Sequence, residues 1–295
     1  MAKEVVFIHT AKEYGSYADY RSLTQLSGFE ICNENQIDPK RDCIYVVSPV
    51  NESVISALKA RPKASRTCKI VWLFLERILP PLDMKGGGVV TGDGSIEEFK
   101  SVLRKLDLIN LFDKFWFADR SIYDKIKNDI SSLFAPVGSD ERLGTPPTTK
   151  TFDITHMSYV AGRRVPVLNG MKGLKISPNA WGEERKKILS ATKFMYCVHQ
   201  DDDTMFEPLR FAVCSAFSLP LICETCTDPF PYEANLDFLS VPYQSFPKAV
   251  WNAVINSNAP FGYNAWADMG RRMWEKGTQK YKFENNVKQM ALEAI

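Results

Sequence analysis

The chain has 295 residues, of which 45% are hydrophobic and 24% are charged, which is close to globular averages and argues against a disordered chain. This length predicts two domains of roughly 100–200 residues each. Lysine and arginine number 37 against 35 acidic residues, and a net charge of +2 gives no general sign of a nucleic-acid-binding protein.

In the first half of the chain, short apolar runs alternate with amphipathic stretches. This alternation is typical of βαβ units and of a mainly parallel sheet. In chain order we predict a strand at 5–9, a helix at 17–26, a strand starting in 28–32, a strand at 43–48, a helix at 53–59, a strand at 69–75, a helix at 96–106, a strand at 114–118, a helix at 121–133 and a strand at 133–137.

A segment rich in glycine, proline and threonine, residues 138–150, interrupts this pattern and has the composition of a linker. The alternation then restarts, so we predict two α/β domains, residues 1–145 and 146–295. The second half is expected to contain a strand within 152–160, a helix at 182–191, a strand at 194–198, a helix at 208–217, a strand at 219–223 and mainly helices from 245 onward.

The seven cysteines are scattered, and only Cys223 and Cys226 form a CxxC pair. A zinc site takes four ligands, and no second pair is spaced to complete one, so we expect reduced thiols and no metal site. The N-terminus has no signal-peptide pattern, and no apolar run approaches the ~18 residues of a membrane span. We therefore expect a cytoplasmic protein with no membrane span.

The segment around Glu207 offers the richest set of polar side chains. His199 follows a predicted strand, Glu207 and Pro208 open a predicted helix, and Arg210 lies in its first turn. Proline suits a first turn, a helix N-terminus attracts phosphate, and an arginine can bind phosphate with two hydrogen bonds. The alternative is that Glu207 only caps the helix and Arg210 is its partner on the surface.

A second group follows the strand that begins near residue 152. His156, Ser158, Arg163 and Arg164 come at or just after the strand end, where ligands bind in open α/β sheets. Adjacent residues point in different directions, so one arginine could bind phosphate and the other face solvent. Alternatively, Arg163 and Arg164 are an ordinary solvated pair.

Three further candidates are more isolated. Asn179, beside Trp181 and before a predicted helix, could border the base of a nucleotide, or this turn could serve packing alone. In the first half, Glu76 ends a predicted strand and could act as a general base toward a hydroxyl group. His9 ends the first predicted strand and is a second catalytic candidate, although a lone histidine is more often structural.

The segment EPLRFAVCSAFSLPLICE, residues 207–224, resembles the C-terminal-domain signature of GT-B glycosyltransferases. Four other stretches are similar to glycosyltransferase-like proteins encoded by phages and prophages. They are VWLFLER (71–77), FAPVGSDERLG (134–144), THMSYVAGRR (155–164) and SPNAWGEER (177–185). The resemblance implies an α/β fold of two Rossmann-like domains that face a cleft.

The resemblance also implies a function, namely transfer of a hexosyl group from a nucleotide sugar, with a UDP-sugar favoured, to an acceptor hydroxyl. Residues 146–295 would then hold the donor, with Glu207 on the ribose and the helix N-terminus facing the diphosphate, and residues 1–145 would hold the acceptor. No separate cofactor is implied, and GT-B enzymes generally use fixed positive groups instead of a metal. An Mg²⁺ ion on Asp201–Asp203 is the alternative.

The sequence departs from this family at Ser215, where many retaining GT-B enzymes have a second glutamate. This departure keeps a second hypothesis open, namely a non-catalytic nucleotide-binding or interaction protein that retains the fold.

For the acceptor, the resemblance to phage proteins suggests hydroxymethylated DNA, which would place the protein in the host cytoplasm. A basic and aromatic C-terminal segment could contact nucleic acid or could form an ordinary helix surface; the oligomeric state is left open. The segment contains Arg271, Arg272, Trp274, Lys276, Lys280, Tyr281 and Lys282.

Overall fold

A computed structural model of the chain describes residues 3–9, 16–75, 96–157, 160–180, 182–199, 206–257 and 262–294. The chain groups into two compact units. Unit 1 comprises Met1–Glu13, Thr24–Pro136 and Glu284–Ile295, and unit 2 comprises Tyr14–Leu23 and Val137–Phe283.

Unit 1 contains a parallel sheet with the strand order β2-β1-β3-β4-β5-β6. Every residue of β3 is buried, as expected where both faces of a parallel sheet are covered. This burial explains why its strands read as continuous apolar runs in the sequence. The strands are β1 (Glu4–Ile8), β2 (Glu30–Cys32), β3 (Cys43–Val47), β4 (Lys69–Phe74), β5 (Lys114–Phe117) and β6 (Ser132–Phe134).

Helices follow the strands of unit 1, as the predicted βαβ pattern requires. Asp119 accepts hydrogen bonds from the backbone N–H groups of Ser121 and Ile122 and so caps its helix. The helices are α1 (Ser16–Leu26), whose first part belongs to unit 2, α2 (Glu52–Lys59), α3 (Ile96–Lys105), α4 (Leu108–Leu111) and α5 (Arg120–Ile126).

Unit 2 contains a second parallel sheet, with the order β10-β9-β8-β7. Its strands are β7 (Phe152–Thr155), β8 (Thr192–Cys197), β9 (Leu221–Glu224) and β10 (Leu239–Val241). Its helices are α6 (Arg164–Gly170), α7 (Gly182–Leu189), α8 (Pro208–Ala216), α9 (Phe246–Ser257) and α10 (Gly262–Trp274); α11 (Phe283–Glu293) lies almost wholly in unit 1.

The two faces of β8 are covered by different helices. Tyr196 packs in an apolar cluster with residues of α6 and α9, such as Val167 and Phe246. On the opposite face, the Sγ of Cys214 in α8 lies 3.2 Å from the sulfur of Met195. The helix α8 is itself buried along most of its length, including the charged Arg210.

The predicted α/β class is confirmed, with differences at particular elements. The helix predicted at 121–133 ends at Ile126 because a polar turn follows it, and α6 was not predicted because its segment RVPVLNG lacks a helical apolar pattern. The predicted linker is not wholly solvated, since Ser139 and Asp140 are completely buried. The domain boundary after residue 145 stays a prediction.

No helix within the described ranges has the length and apolar character needed to cross a membrane.

The close packing of α10 provides a test of the fold of unit 2. A Cβ atom added to Gly270 would lie 3.0 Å from the carbonyl carbon of Ser218 and closer still to its oxygen. Because backbone must move to relieve this overlap, we expect Gly270→Ala to lower the free energy of unfolding by about 1–3 kcal/mol.

Urea denaturation would measure this loss. Ala265→Ser, at an exposed position of the same helix, is the control and should cost only about 0.5 kcal/mol. An equal effect of the two substitutions would contradict the close contact at Gly270.

Candidate functional site

Polar side chains follow three neighbouring strands of the unit 2 sheet. His156 comes directly after β7, His199 comes two residues after β8, and Glu224 is the last residue of β9. The carboxyl ends of parallel strands meet at one edge of a sheet, which is where open α/β folds bind their ligands. These side chains therefore share the expected ligand-binding edge of unit 2.

Glu207 occupies the N-cap position of α8, with Pro208 as the first helical residue. Its side chain does not cap the helix and instead binds neighbouring cations. Glu207 Oε2 lies 2.5 Å from Arg210 Nε, and Oε1 lies 3.5 Å from His199 Nδ1 and 4.0 Å from Arg164 Nη2. The helix-capping alternative for Glu207 is therefore wrong.

Arg210 is buried, so it is not a surface partner of Glu207. Its Nη1 donates a hydrogen bond of 3.0 Å to the Sγ of Cys197, at the end of β8. The hydrogen bond with the Cys223 thiol and, to a lesser extent, the charge of Arg210 lower the pKa of Cys197 in spite of its burial. The guanidinium group is thus held between Glu207 and Cys197.

Arg163 and Arg164 are not a solvated pair. Arg164 is buried at the start of α6, and its Nε donates to the carbonyl oxygen of Val198 at 2.8 Å. Arg163 Nη2 binds Glu224 Oε1 at 2.7 Å, and its guanidinium carbon lies 4.0 Å from the centre of the Tyr243 ring. Both arginines are therefore held in place by folded structure.

Glu224 links Arg163 to His199. Its Oε1 binds Arg163, and its Oε2 accepts a hydrogen bond of 2.9 Å from the backbone N–H of His199. We define the carboxyl-edge cluster as the six residues Arg163, Arg164, His199, Glu207, Arg210 and Glu224. Three guanidinium groups and a histidine here face two carboxylates, so the cluster has an excess of positive charge that suits an anionic ligand.

The two histidines at this edge have opposite pKa shifts. Burial alone would lower the pKa of His199, but the Glu207 carboxylate, 3.5 Å from its Nδ1, and the other neighbouring negative charges raise it to about 9. Burial, followed by the charges of three arginines, lowers the pKa of His156 to about 4. At pH 7, His199 is therefore positively charged and His156 is neutral.

The structure thus brings Arg163, Arg164, His199, Glu207, Pro208 and Arg210 together, with His156 at the same sheet edge. Asn179 is exposed on the loop before α7. His9 lies in unit 1, buried after β1, with its backbone N–H bound to the carbonyl oxygen of Cys32 at 3.0 Å. Several predicted features lie outside the described residues, namely Glu76, Ser158, Trp181 and Asp201–Asp203.

Sequence reasoning missed Glu224, Cys197 and Tyr243. Glu224 could have been found in the same way as His199, since both are polar residues at the end of an apolar run. Cys197 is the last residue of an apolar strand and looks like an ordinary core residue. Tyr243 is 80 positions from Arg163 in the chain, and no local pattern connects them.

Comparison with protein-family models finds no match, and comparison with curated proteins finds none either. Solved structures do match. HepE from Anabaena, in complex with UDP and glucose, aligns with a TM-score of 0.64 at 10% identity over 98% of each chain. Sucrose-phosphate synthase from Thermosynechococcus elongatus aligns with a TM-score of 0.61 at 10% identity, over 99% of this chain and 98% of its own.

TarM aligns with a TM-score of 0.59 at 11% identity, over 94% of this chain. The present chain spans only 57% of the TarM structure. At these identities the likeness concerns the fold, and it confirms the predicted GT-B class of two parallel α/β sheets.

The raised pKa of His199 makes its ionic contact with Glu207 testable. We expect Glu207→Gln to lower this pKa well below 9, because the substitution removes the negative charge beside the imidazole and leaves the burial. NMR titration of the imidazole resonances would measure it. Glu233→Gln, at an exposed glutamate of the same unit, should leave it unchanged.

The same contact predicts a pH dependence of stability. A folded pKa of about 9 against the usual 6.5 means that the folded state keeps a proton that the unfolded state releases earlier. The contribution of His199 to the free energy of unfolding is therefore complete below pH 6.5 and is lost as the pH rises toward 9. Thermal unfolding should show this decline in the native protein, and a decline of equal size in Glu207→Gln would contradict the assignment.

Proposed function

We propose that the protein is a glycosyltransferase that moves a sugar from a nucleotide-sugar donor to an acceptor hydroxyl. The observation that carries the proposal is the carboxyl-edge cluster, in which buried arginines surround Glu207 at the N-terminus of α8. The cluster lies in a fold shared with HepE, a protein whose structure contains UDP and glucose. A UDP-sugar is therefore the favoured donor.

In this proposal Glu207 accepts a hydrogen bond from the ribose of the donor. A carboxylate can accept about four hydrogen bonds, so Glu207 can bind a hydroxyl while it remains paired with Arg210. The positive end of α8 and the guanidinium groups of Arg164 and Arg210 would bind the diphosphate. Arg163, held between Glu224 and Tyr243, supports this edge from the side of α6.

The chemical step would depend on fixed positive charge. As the bond between sugar and phosphate breaks, negative charge grows on the departing diphosphate, and arginines already in place stabilise it without reorganisation. A general base would take the proton of the acceptor hydroxyl. Glu76 and His9 stay the predicted candidates for this role, and residues 1–145 stay the predicted acceptor-side domain.

The basic C-terminal residues give little support to a DNA acceptor. Arg271 pairs with Glu275 at 2.6 Å, and Arg272 donates to the carbonyl oxygen of Leu236 at 2.9 Å. Lys276 pairs with Asp237. This pairing favours an ordinary helix surface, so the proposal names only an acceptor hydroxyl.

A non-catalytic nucleotide-binding protein is the second candidate, and Ser215 is the observation that favours it. Ser215 stands where many retaining GT-B enzymes have a glutamate, and it is completely buried. Its Oγ bonds the carbonyl oxygen of Phe211 and the hydroxyl of Tyr232, both at 2.8 Å. It therefore serves helix packing. Release of nucleotide from a nucleotide sugar would separate the two candidates.

Glu207 provides the first test of the donor site. Glu207→Ala should weaken nucleotide-sugar binding by about 1–3 kcal/mol, because a charged hydrogen bond to the ribose is lost. Calorimetric titration would measure the affinity, and Glu233→Ala is the control at an exposed glutamate. Unchanged affinity in Glu207→Ala would remove this residue from the site.

Arg210 provides the test of the mechanism. If arginines stabilise the leaving group, transfer should persist in excess EDTA. Arg210→Ala should then lower kcat more than it raises KM, because the charge grows toward the transition state. Arg210→Lys should restore the rate only in part, since an ammonium cannot bind phosphate in the two-pronged manner of a guanidinium.

The competing mechanism gives this role to a divalent metal on Asp201–Asp203. It predicts that EDTA abolishes transfer, that added Mg²⁺ or Mn²⁺ restores it, and that Asp202→Asn is as harmful as Arg210→Ala. Circular dichroism of each variant would establish that it is folded before rates are compared.

A further inference from the structure

His156 is a buried polar side chain with unusual surroundings. It is 8% exposed, and neither ring nitrogen has a hydrogen-bond partner among the described residues. Buried polar groups in native proteins are nearly always hydrogen-bonded, and leaving one unbonded is unfavourable. The position of His156 directly after β7 places it at the carboxyl edge of the unit 2 sheet, where ligands bind in open α/β folds.

Tyr196 adds a second such group beside the first. Its ring centre lies 5.4 Å from that of His156, and the two rings are tilted by 31°. Tyr196 is 3% exposed, and its hydroxyl also has no hydrogen-bond partner in the described part of the chain. Two neighbouring side chains thus place three polar atoms in the interior at one sheet edge.

The neighbourhood contains arginines, but these two side chains are themselves uncharged. Arg164 and Arg210 of the carboxyl-edge cluster influence both groups, and burial keeps the Tyr196 hydroxyl protonated by raising its pKa. At neutral pH, His156 therefore offers one N–H donor and one acceptor nitrogen, and Tyr196 offers one O–H donor and an acceptor oxygen.

This combination matches a hydroxyl group better than a phosphate. A hydroxyl both donates and accepts, so it can satisfy a donor and an acceptor of the pair together. An ionised phosphate only accepts, and it would leave the acceptor nitrogen of His156 unsatisfied. The neighbouring guanidinium groups only donate hydrogen bonds, so they suit a phosphate, which only accepts them.

We propose that His156 and Tyr196 form a subsite that recognises hydroxyl groups of the transferred sugar, and this inference rests on the proposed glycosyltransferase function. The carboxyl edge of the unit 2 sheet then has two neighbouring subsites that bind different parts of the donor. Arg164 and Arg210 bind the anionic diphosphate, and the neutral pair binds the adjoining uncharged sugar. Ser215, fixed in helix packing, takes no part in this recognition.

The test compares UDP with UDP-glucose, which differ by the sugar alone. Tyr196→Phe removes one hydroxyl and keeps the ring. We expect it to weaken UDP-glucose binding by roughly 5- to 20-fold, the range for loss of one or two neutral hydrogen bonds, and to leave UDP binding unchanged. His156→Phe should show the same selectivity. Calorimetric titration of the folded full-length variants would give both affinities.

Arg164→Lys is the matched control. Because the guanidinium group is assigned to the diphosphate, this substitution should weaken UDP and UDP-glucose by the same factor. Deoxy analogues of UDP-glucose sharpen the test further. An analogue that lacks the recognised hydroxyl should bind the native protein and Tyr196→Phe equally, which a general structural defect would not produce.

The possible failures are distinct. One failure concerns the native protein. If it binds UDP, but its affinity for each UDP-, GDP-, ADP- or dTDP-sugar equals its affinity for the matching free nucleotide, the sugar subsite is wrong. If Tyr196→Phe and His156→Phe lower both affinities equally, or neither, these side chains are structural and the subsite is wrong, while the proposed function stands. If the native protein binds no nucleotide and no nucleotide sugar, the proposed function fails and the subsite fails with it.

Discussion

The ion pair between Glu207 and Arg210 is the interaction on which the candidate site depends. The two residues lie one helical turn apart at the start of α8, a helix that is buried along most of its length. A guanidinium group in that position is unfavourable unless a carboxylate and further hydrogen-bond acceptors accompany it. Glu207 supplies the negative charge, and the Sγ of Cys197 accepts a hydrogen bond from Nη1 of Arg210.

The other charged groups follow from this pair. Glu207 also lies near His199 and Arg164, so one carboxylate is shared among three cations. Glu224, the last residue of β9, pairs with Arg163 at the start of α6. Arginine, histidine and glutamate side chains are thus concentrated at one edge of the sheet. Such concentrations of interacting charged groups are typical of functional sites.

The sequence predicted the fold class and most strands because parallel strands that are buried on both faces read as continuous apolar runs. It did not predict α6, whose apolar residues have no helical spacing, nor the burial of Ser139 and Asp140 inside a segment with the composition of a linker. Those features depend on tertiary contacts. Ser139, for example, donates to the carbonyl oxygen of Ala212, which lies 73 positions away.

The candidate site shows the same division. The rule that ligands bind at the carboxyl ends of strands located His156, His199, Glu207 and Arg210, since each lies next to a recognisable strand or helix boundary. The same rule could have located Glu224. It could not locate Tyr196, which belongs to an apolar strand, nor Tyr243, whose ring lies against the Arg163 guanidinium group. Glu76 and Ser158 stay predictions.

A GT-B fold shared at about 10% identity does not separate a transferase from a nucleotide-binding protein that has lost its activity. The chemistry of the site indicates which ligands it suits. A protein that binds only a nucleotide needs positive charge for the diphosphate and an acceptor for the ribose, and the carboxyl-edge cluster offers both. It has no need of a neutral pair beside the arginines. Keeping His156 and Tyr196 buried without partners among the described residues lowers stability, and a cost of that kind persists where a ligand offsets it. The neutral pair therefore supports a site that holds the sugar as well as the nucleotide, as the proposed transfer requires.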